Sequence, residues 1–576
     1  MVEAAPQRGF PALAESPLSI AGCDALRWDD EADVVVVGFG GAGAVAAIQA
    51  AEGGASVIIA DRFDGGGATT LSGGVIYSGA NDVQRAAGIA DSVEDMFEYL
   101  KLEVKGVVSD DALYRYCADS QTNIDWLRKQ GVGYRSEFRD GRFAFPPEDV
   151  FIYYTGNEKL PHAVAKAKPA PRGLRAAGKG LGGRHFYGAL RATALRSGAK
   201  YYPQSPATRL IVSADGAVLG VELRRLTPGT KPCARHAKLK RRYDALLRFI
   251  GGSAAAKAAA EMMRLEQEHG VPLRLRARSG VILAAGGFIF NPDMVQRHTP
   301  RYVKSMPLGT VSCDGSGIQL GMSVGAATGQ MDHVAAWRHL AMPAAPEAYL
   351  KGLLVNARGE RFIPEDAYSA TVGGAIAESH DGRAWLIQDK PLRRQSFGAL
   401  WGQLRSSMVL TIPTLLTLLF GTKRGKTIEE LAVAVGVDPV GLRATVDANN
   451  ATLAAGKPDP FGKQPEYRRP ISSAPYYAIY VGTDSTFSQA VTVTLGGLVV
   501  DEGSGLVKRH DGRTIAGLYA VGRTAVGIPS ENYVSGLSIG DCVFSGRRAA
   551  LHATSSKRSQ RVDQVSAVPT EAIVNE

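Results

Sequence analysis

The chain has 576 residues, more than one ordinary domain needs, and 45% of them are hydrophobic, enough for a substantial core. The formal net charge of +10 suggests nucleic acid, but the excess lies mainly in two local segments and the tail, which argues against a nucleic-acid-binding protein. Five cysteines, far apart and without a CxxC pair, argue against a disulfide framework and against a zinc or iron–sulfur site.

The first 30 residues form an N-terminal extension without the pattern of a secretory signal. They carry Glu3 and Glu15 and lack a basic region followed by an apolar run. Together with the cysteine usage, this predicts a cytoplasmic protein.

Residues 33–62 have the pattern of a dinucleotide-binding unit. Four valines predict a buried strand, Gly38-x-Gly40-x-x-Gly43 predicts a tight turn, and an alanine-rich helix and a second strand ending at Asp61 follow. In such a unit the glycines let the backbone approach a pyrophosphate at the helix N-terminus, and the acid binds ribose hydroxyls. The agreement of all four parts disfavours a glycine-rich turn without a ligand.

Three later segments complete the pattern. A Gly/Thr/Ser-rich loop follows Asp61, a second buried strand at 279–288 ends in a glycine pair, and 514–550 supplies a third strand and a late helix beginning near Ser535. These pieces can converge on one long cofactor only in a domain that is discontinuous in sequence.

This arrangement resembles the FAD-binding domain of the fumarate reductase/succinate dehydrogenase flavoprotein superfamily, over nearly the whole chain. The resemblance implies an α/β fold: a Rossmann-like FAD-binding domain, discontinuous in sequence, with an inserted α+β substrate domain. It implies non-covalent FAD, because the loop GGGATTLSGG lacks the histidine that carries a covalent flavin in some relatives. The late helix would turn its positive end to the flavin pyrimidine and favour the anionic reduced form. The implied cofactor-binding residues are Gly38, Gly40, Gly41, Ala42, Gly43, Asp61, Arg62, Gly67, Ala68, Thr69, Thr70, Ser72, Gly73, Gly74, Ala285, Gly286, Gly522, Arg523, Gly536, Leu537 and Ser538.

Together with the N-terminal extension, residues 1–30, the resulting division of the chain has five parts. Residues 31–287 and 488–552 form the FAD-binding domain, residues 288–487 form the substrate domain, and residues 553–576 form a flexible tail.

Two segments do not fit the pattern. Residues 226–272 read as a basic helical insertion, and residues 393–426 carry an apolar run, Met408–Phe420, that is too short to span a membrane.

For the second of these segments two alternatives stay open. Basic residues flank the apolar run, which favours a peripheral patch on the inner face of the cell membrane. The other alternative is a buried helix or a contact with another subunit.

The substrate end of the sequence lacks the charges that dicarboxylate enzymes need. Relatives that bind two carboxylates carry histidines before a Gly-Gly and an arginine at the late helix. Here residues 488–498 contain no histidine, Tyr533 stands in place of the arginine, and "IPEDAYSA" follows "VNARGERF". The site is therefore predicted to take a neutral, largely apolar molecule with a polar handle.

These segments resemble the 3-ketosteroid dehydrogenases, and within them the Δ4-(5α) branch. The matching stretches are residues 66–80, 355–370 and 533–548, whereas the Tyr-Pro-Gly-Pro-Gly of the Δ1 branch is absent. The resemblance implies FAD-dependent introduction of a C4–C5 double bond into 3-oxo-5α-steroids, as in steroid degradation, with an external electron acceptor. It places the catalytic hydroxyls on Tyr368, Tyr533 and Ser535.

Those residue types suit the chemistry. A proton must leave the carbon beside the ketone, and a tyrosine can accept it as tyrosinate when its neighbours permit ionisation. A serine is too weak a base alone but can pass a proton on. Tyr533 and Ser535 are assigned to the carbon-4 proton, Tyr368 completes the network, and the first acceptor stays open.

The alternatives to this function are Δ1 dehydrogenation, the reverse reaction as an enone reductase, a fumarate-type reductase of unsaturated acids, and a non-catalytic flavoprotein that carries a lipid. Tyr116 and Tyr77 are candidate substrate-lining residues by resemblance, with core packing as the alternative. Glu531 is interpreted as a rim charge rather than as a general base.

Overall fold

Strands from distant parts of the chain lie side by side in one large sheet. In this computed structural model, residues 14–21, 25–142, 146–247, 252–338, 347–403, 408–485 and 489–566 are described. Within them the largest sheet has nine strands. Seven follow one another in the order Leu18–Ile20, Ala207–Ser213, Val218–Leu226, Gly270–Leu283, Asp30–Val37, Val57–Ala60 and Lys200–Tyr202. Thr514–Ala520 pairs in parallel with the end of Gly270–Leu283, and Leu506–Lys508 pairs with Thr514–Ala520.

The valine run at 34–37 forms a central strand because both of its faces are buried. Val35 and Val37 pack into one hydrophobic cluster, whereas Val34 and Val36 pack into another on the opposite face. A parallel strand covered on both faces needs such a continuous apolar run. The two predicted strands of the dinucleotide unit and its helix, Gly41–Glu52, are confirmed.

Smaller sheets carry the remaining strands. One contains Val75–Tyr77, Gly173–Arg175, Ile152–Tyr154 and Phe138–Arg142; a second contains Leu353–Val355, Trp385–Gln388, Tyr476–Tyr480 and Thr422–Gly425; a third contains Met306–Pro307, Val491–Thr494 and Val334–Trp337; a fourth contains Thr328–Gly329 and Gly497–Leu498. The α-helices are Gly41–Glu52, Asp82–Ala86, Val93–Val104, Asp110–Ala118, Ser120–Lys129, Pro161–Val164, Gly182–Arg196, Lys231–Arg242, Gly252–His269, Pro292–His298, Ser316–Ser323, Ser369–Ser379, Lys390–Gln403, Met408–Phe420, Ile428–Val435, Pro439–Ala454 and Leu537–Ser566.

The late helix packs tightly against the first helix of the dinucleotide unit. A methyl group on Gly546 would come within 2.9 Å of the Ala42 carbonyl oxygen and 3.0 Å of Val45. The small residues of both helices therefore allow their backbones to approach closely. The late helix continues to Ser566, beyond the predicted domain end at residue 552, and the flexibility of the tail stays a prediction; residues 567–576 lie outside the described part.

The basic insertion is part of the core. Its helices, Lys231–Arg242 and Gly252–His269, bury Leu239, Met262 and Leu265 in the same cluster as Val35 of the sheet. The flanking strands, Val218–Leu226 and Gly270–Leu283, pair with each other in antiparallel fashion.

A buried ionic cluster joins this insertion to the dinucleotide unit. The Arg62 guanidinium makes two hydrogen bonds to Glu266, of 2.9 and 2.7 Å, and a third to Asp314. His236 Nε2 lies 3.1 Å from Glu266. Although burial raises it, the pKa of Glu266 is held below its ordinary value by Arg62 and His236.

The apolar run of the second insertion forms the helix Met408–Phe420. Leu418 is buried, and its carbonyl oxygen accepts a hydrogen bond from Arg393, whereas Leu419 and Phe420 are 52% and 66% exposed. Among the described residues, no helix is long and apolar enough to cross a membrane.

Removing the carboxylate of Glu266 should destabilise the protein. Glu266→Gln leaves the buried Arg62 charge short of a partner, and breaking such a pair costs about 3 kcal/mol or more. The matched control is Glu268→Gln on the same helix, which breaks an exposed pair with Arg264 worth ~0.5 kcal/mol or less. Urea unfolding of both variants measures the difference, and equal shifts would contradict a role for the cluster in holding the insertion.

Candidate active site

The glycine-rich turn leaves open space at one position only. A methyl group on Gly38, whose φ is +104°, would come within 2.5 Å of the Ala284 oxygen, and one on Gly43 within 1.9 Å of the Gly38 oxygen. At Gly40 the same methyl would meet no atom within 4 Å. Gly40 caps the helix Gly41–Glu52, which has no side-chain cap and no acid in its first turn. This positive helix end with a bare backbone fits a pyrophosphate.

The Gly/Thr/Ser-rich loop lies against this turn. The backbone N–H of Gly41 donates to Thr69 Oγ1 over 3.1 Å, and the Cβ position of Gly67 is 3.7 Å from the Gly40 Cα. The stretch Gly67–Leu71 is a single 3₁₀ turn. It contains Ala68, Thr69 and Thr70 of the predicted cofactor set, and Ser72, Gly73 and Gly74 follow it directly.

The glycine pair Gly286–Gly287 and the single glycine Gly522 lie at the same edge of the sheet. The backbone N–H of Gly286 donates to Thr524 Oγ1 over 2.9 Å, and a methyl on Gly522 would lie 2.9 Å from Ala42. Arg523 Nη2 donates to Cys313 Sγ over 3.4 Å, whereas its Nη1 is buried without a hydrogen-bond partner among the described residues. A buried, unsatisfied guanidinium nitrogen suits an anionic ligand. The residues present therefore fit FAD.

Asp61 and Arg62 follow the strand Val57–Ala60, and their side chains contact different groups. Asp61 accepts hydrogen bonds from the backbone N–H of Phe39 and Phe63, at 2.7 and 2.8 Å, and burial raises its pKa. A carboxylate has about four acceptor sites, so Asp61 can also bind ribose hydroxyls. The Arg62 guanidinium is directed to Glu266 and Asp314, and it stabilises the insertion rather than reaching the glycine-rich turn.

The three predicted catalytic hydroxyls come together around one tryptophan. Trp337 Nε1 donates to the Tyr368 hydroxyl over 2.8 Å, and the Trp337 ring meets the Tyr533 ring edge-on, with centroids 4.7 Å apart. The Ser535 side chain lies near the Tyr368 hydroxyl and lowers its pKa. Three segments distant in sequence therefore contribute to one cluster.

The two phenols differ in acidity. Burial raises the pKa of Tyr368 well above its ordinary value, and the hydrogen bond from Trp337 and the nearby Ser535 side chain act against this shift. Burial also raises the pKa of Tyr533, to about 12, and the nearby Arg523 charge opposes the shift. Of the two, Tyr533 is the more easily ionised.

Backbone contacts hold each of these residues. Tyr368 is the N-cap of helix Ser369–Ser379, and its N–H donates to Asn157 Oδ1 over 2.8 Å. The N–H of Tyr533 donates to Asn532 Oδ1 over 3.1 Å, and that of Ser535 to the Thr155 carbonyl over 3.3 Å.

Sequence patterns assign no role to three residues behind this cluster, namely Asn157, Asn532 and Glu103. Asn532 adjoins Tyr533, and no pattern marks Asn157. Glu103 occupies the buried face of helix Val93–Val104, at helical spacing from Met96 and Tyr99. An acid on an apolar helix face is the one signal that could have identified it.

The candidate substrate-lining residues Tyr116 and Tyr77 lie in the core, and Glu531 lies at the rim of the site. Tyr116 donates to the Tyr77 carbonyl over 2.6 Å, Tyr77 donates to Glu158 over 3.2 Å, and both side chains are buried in one hydrophobic cluster, which favours packing over substrate lining. Glu531 lies 3.0 Å from His333 and stays partly exposed, in agreement with its interpretation as a rim charge.

Comparison with known proteins identifies the family. The family model described as FAD binding domain matches residues 33–538. The chain belongs to the FAD binding domain family. The FAD and the α/β flavoprotein fold expected from the sequence are thereby confirmed; the cofactor's non-covalent attachment stays a prediction.

Steroid dehydrogenases are among the proteins similar to this chain. The 3-oxo-5-alpha-steroid 4-dehydrogenase of Comamonas testosteroni is 37% identical over 527 residues, covering 88% of this chain and 95% of that protein. The crystal structure of 3-ketosteroid-delta4-(5alpha)-dehydrogenase from Rhodococcus jostii RHA1, in complex with 4-androstene-3,17-dione, matches with a TM-score of 0.77 at 28% identity, covering 94% and 100%. The 3-oxosteroid 1-dehydrogenase of Mycobacterium tuberculosis is 26% identical over 91% of this chain and 98% of that protein.

The open space at Gly40 predicts a variant that folds but binds FAD poorly. Alanine adopts the extended backbone of Gly40, so Gly40→Ala should leave the melting temperature of the FAD-free protein unchanged. Its methyl would crowd the pyrophosphate by about 1–3 kcal/mol, roughly a 10- to 100-fold higher Kd for FAD. Flavin fluorescence titration measures this. Gly188→Ala, at another glycine with open space, is the control, and equal Kd values for both variants would contradict the assignment.

Proposed function

We propose that this flavoprotein is a 3-ketosteroid dehydrogenase that introduces a C4–C5 double bond into 3-oxo-5α-steroids. The observation that carries the proposal is the cluster of Tyr368, Tyr533 and Ser535 around Trp337. Its polar groups are hydroxyls, and the side chains of Ala335, Val493 and Leu495 pack beside it. Such a lining suits an apolar ring system with one ketone. The 37% identity to a 3-oxo-5-alpha-steroid 4-dehydrogenase supports the same reaction.

The hydroxyls divide the proton chemistry among them. FAD, when bound, supplies the acceptor for the hydride that leaves carbon 5. Tyr533, the more easily ionised phenol, takes the proton from carbon 4 as tyrosinate. Ser535 and Tyr368, whose side chains lie near each other, relay that proton away, and Trp337 orients the Tyr368 hydroxyl through its N–H.

Two features disfavour the alternatives from other substrate classes. A dicarboxylate would need cationic partners, yet Tyr533 stands at the position of the expected arginine and residues 488–498 carry no histidine. The threonines there face the protein: Thr494 Oγ1 accepts from the Phe288 N–H over 3.0 Å. Δ1 dehydrogenation is separated from Δ4 dehydrogenation by the product formed.

We also propose that the helix Met408–Phe420 rests on a membrane surface and that an external acceptor reoxidises the flavin. The exposed Leu419 and Phe420 are followed by exposed Lys423 and Arg424, a combination of apolar and basic groups that suits anionic lipid. Contact with another subunit is the alternative. Co-sedimentation with anionic vesicles, compared with the mass in solution, separates the two.

Anaerobic mixing with 5α-androstane-3,17-dione should bleach the flavin absorbance and yield 4-androstene-3,17-dione. Tyr533→Phe, Tyr368→Phe and Ser535→Ala should each slow bleaching by roughly 10²-fold or more, because each removes a proton-transfer group. Tyr114→Phe, at an exposed tyrosine, is the matched control and should bleach like the wild type. Bleaching by a 4-ene-3-one alone, with a 1,4-diene as product, would place the enzyme in the Δ1 branch.

The raised pKa of Tyr533 predicts the pH dependence. Below about 12 the phenol is protonated, so its ionised fraction rises tenfold per pH unit. The value of kcat/KM for wild-type enzyme should therefore climb from about pH 7 to pH 10 without an upper limb. Tyr533→Phe should lose this rise. A wild-type profile that is flat or falls with pH would contradict a phenolate base.

A further inference from the structure

Glu103 is a buried acid for which the proposed reaction has no direct use. It lies near the end of helix Val93–Val104, its exposed fraction is 3%, and burial raises its pKa. A buried carboxylate is costly unless hydrogen bonds compensate it. Three donors do so: the Tyr99 hydroxyl at 2.9 Å, Asn157 Nδ2 at 3.1 Å and Asn532 Nδ2 at 2.6 Å.

Both asparagines use their other end on a catalytic segment. Asn157 Oδ1 accepts the backbone N–H of Tyr368 over 2.8 Å, and Asn532 Oδ1 accepts that of Tyr533 over 3.1 Å. Two parallel chains of hydrogen bonds therefore start at one carboxylate and end on the two proposed catalytic tyrosines.

From this geometry we infer that Glu103 is a positioning residue that sets Tyr368 and Tyr533 relative to each other through Asn157 and Asn532. An ionised carboxylate only accepts hydrogen bonds. It therefore fixes both amides with their NH₂ groups inward and their carbonyl oxygens on the tyrosine N–H groups. The expected effect of Glu103 on the reaction rate rests on the proposed function. Its expected effect on structure rests on the hydrogen bonds alone.

Glutamine at this position breaks the symmetry of the arrangement. In Glu103→Gln the new amide offers one acceptor and one donor, so an asparagine facing its NH₂ must turn over and present its own NH₂ to a tyrosine N–H. For Glu103→Gln we expect kcat to fall about 10- to 100-fold, the cost of a small misplacement at a reacting centre. We expect KM and FAD content to stay within about threefold of wild type, because neither tyrosine–ligand contact nor the glycine-rich turn is removed.

A second substitution should rescue the first. In Glu103→Gln/Asn532→Asp, the glutamine NH₂ donates to one oxygen of the new carboxylate, and its other oxygen accepts the Tyr533 N–H as before. In the wild type, Asn532 Nδ2 lies 2.6 Å from a Glu103 carboxylate oxygen. Asn532→Asp alone therefore brings two carboxylates together, and their repulsion should lower kcat at least as much as Glu103→Gln does. The double variant should recover at least tenfold over either single variant.

Comparing the two single variants with the double variant distinguishes a positioning role of Glu103 from a merely structural one. Wild-type kcat in Glu103→Gln overturns the inference. So does a double variant no faster than the singles, or a loss of kcat that simply follows lower thermal stability and FAD retention.

A failure of the proposed function has a different signature. If the wild type does not oxidise 3-oxo-5α-steroids, the function falls, and hydrogen–deuterium exchange of the holoenzyme still tests Glu103. The Tyr533 and Tyr368 amides should be protected in the wild type. At least one of them should exchange several-fold faster in Glu103→Gln and be protected again in the double variant. Unchanged exchange of both amides overturns the inference.

Discussion

Three parallel strands, Asp30–Val37, Gly270–Leu283 and Thr514–Ala520, end at the same edge of the main sheet, and the site depends on that convergence. Their pairing is enforced by side chains buried on both faces, so the register cannot slip without exposing apolar surface. Because the three strands end side by side, the turns that follow them lie next to one another. This brings the bare backbone at Gly40 beside the region where Gly286 and Arg523 lie.

Charge is distributed according to what each part of the molecule must do. The hydroxyl cluster around Trp337 uses neutral groups, which suits a neutral ketone and lets burial keep both phenols protonated at rest. Arg62 and Glu103 are full charges outside this cluster and have partners, Arg62 with Glu266 and Glu103 with its three donors, whereas the Arg523 charge near Tyr533 keeps one guanidinium nitrogen for an anionic ligand. The ion pair of Arg62 and the hydrogen-bonded carboxylate of Glu103 thus stabilise the fold around the hydroxyl cluster without adding a charge to it.

The sequence predicted those parts of the fold that depend on short-range patterns. The βαβ unit followed from apolar periodicity and glycine spacing, and the hydroxyls Tyr368, Tyr533 and Ser535 followed from family motifs; the structure brings the three together. Pairings across long separations could not be predicted, because nothing local in Arg62 indicates Glu266. The same limit hid the docking of residues 226–272 and the link from Glu103 to Asn532. The helix beyond residue 553 was missed because its Ser/Lys/Arg-rich composition is also typical of a disordered tail.

The discontinuous sheet also has a consequence for synthesis on the ribosome. One edge of Gly270–Leu283 stays unpaired until its partner strand, Thr514–Ala520, is synthesised roughly 230 residues later. At ~5–20 residues per second that delay lasts tens of seconds. During it, Val281 and its neighbours present an unpaired apolar strand edge to other nascent chains, which is a template for aggregation. The yield of this enzyme in a host cell should therefore depend on chaperones that act before translation ends.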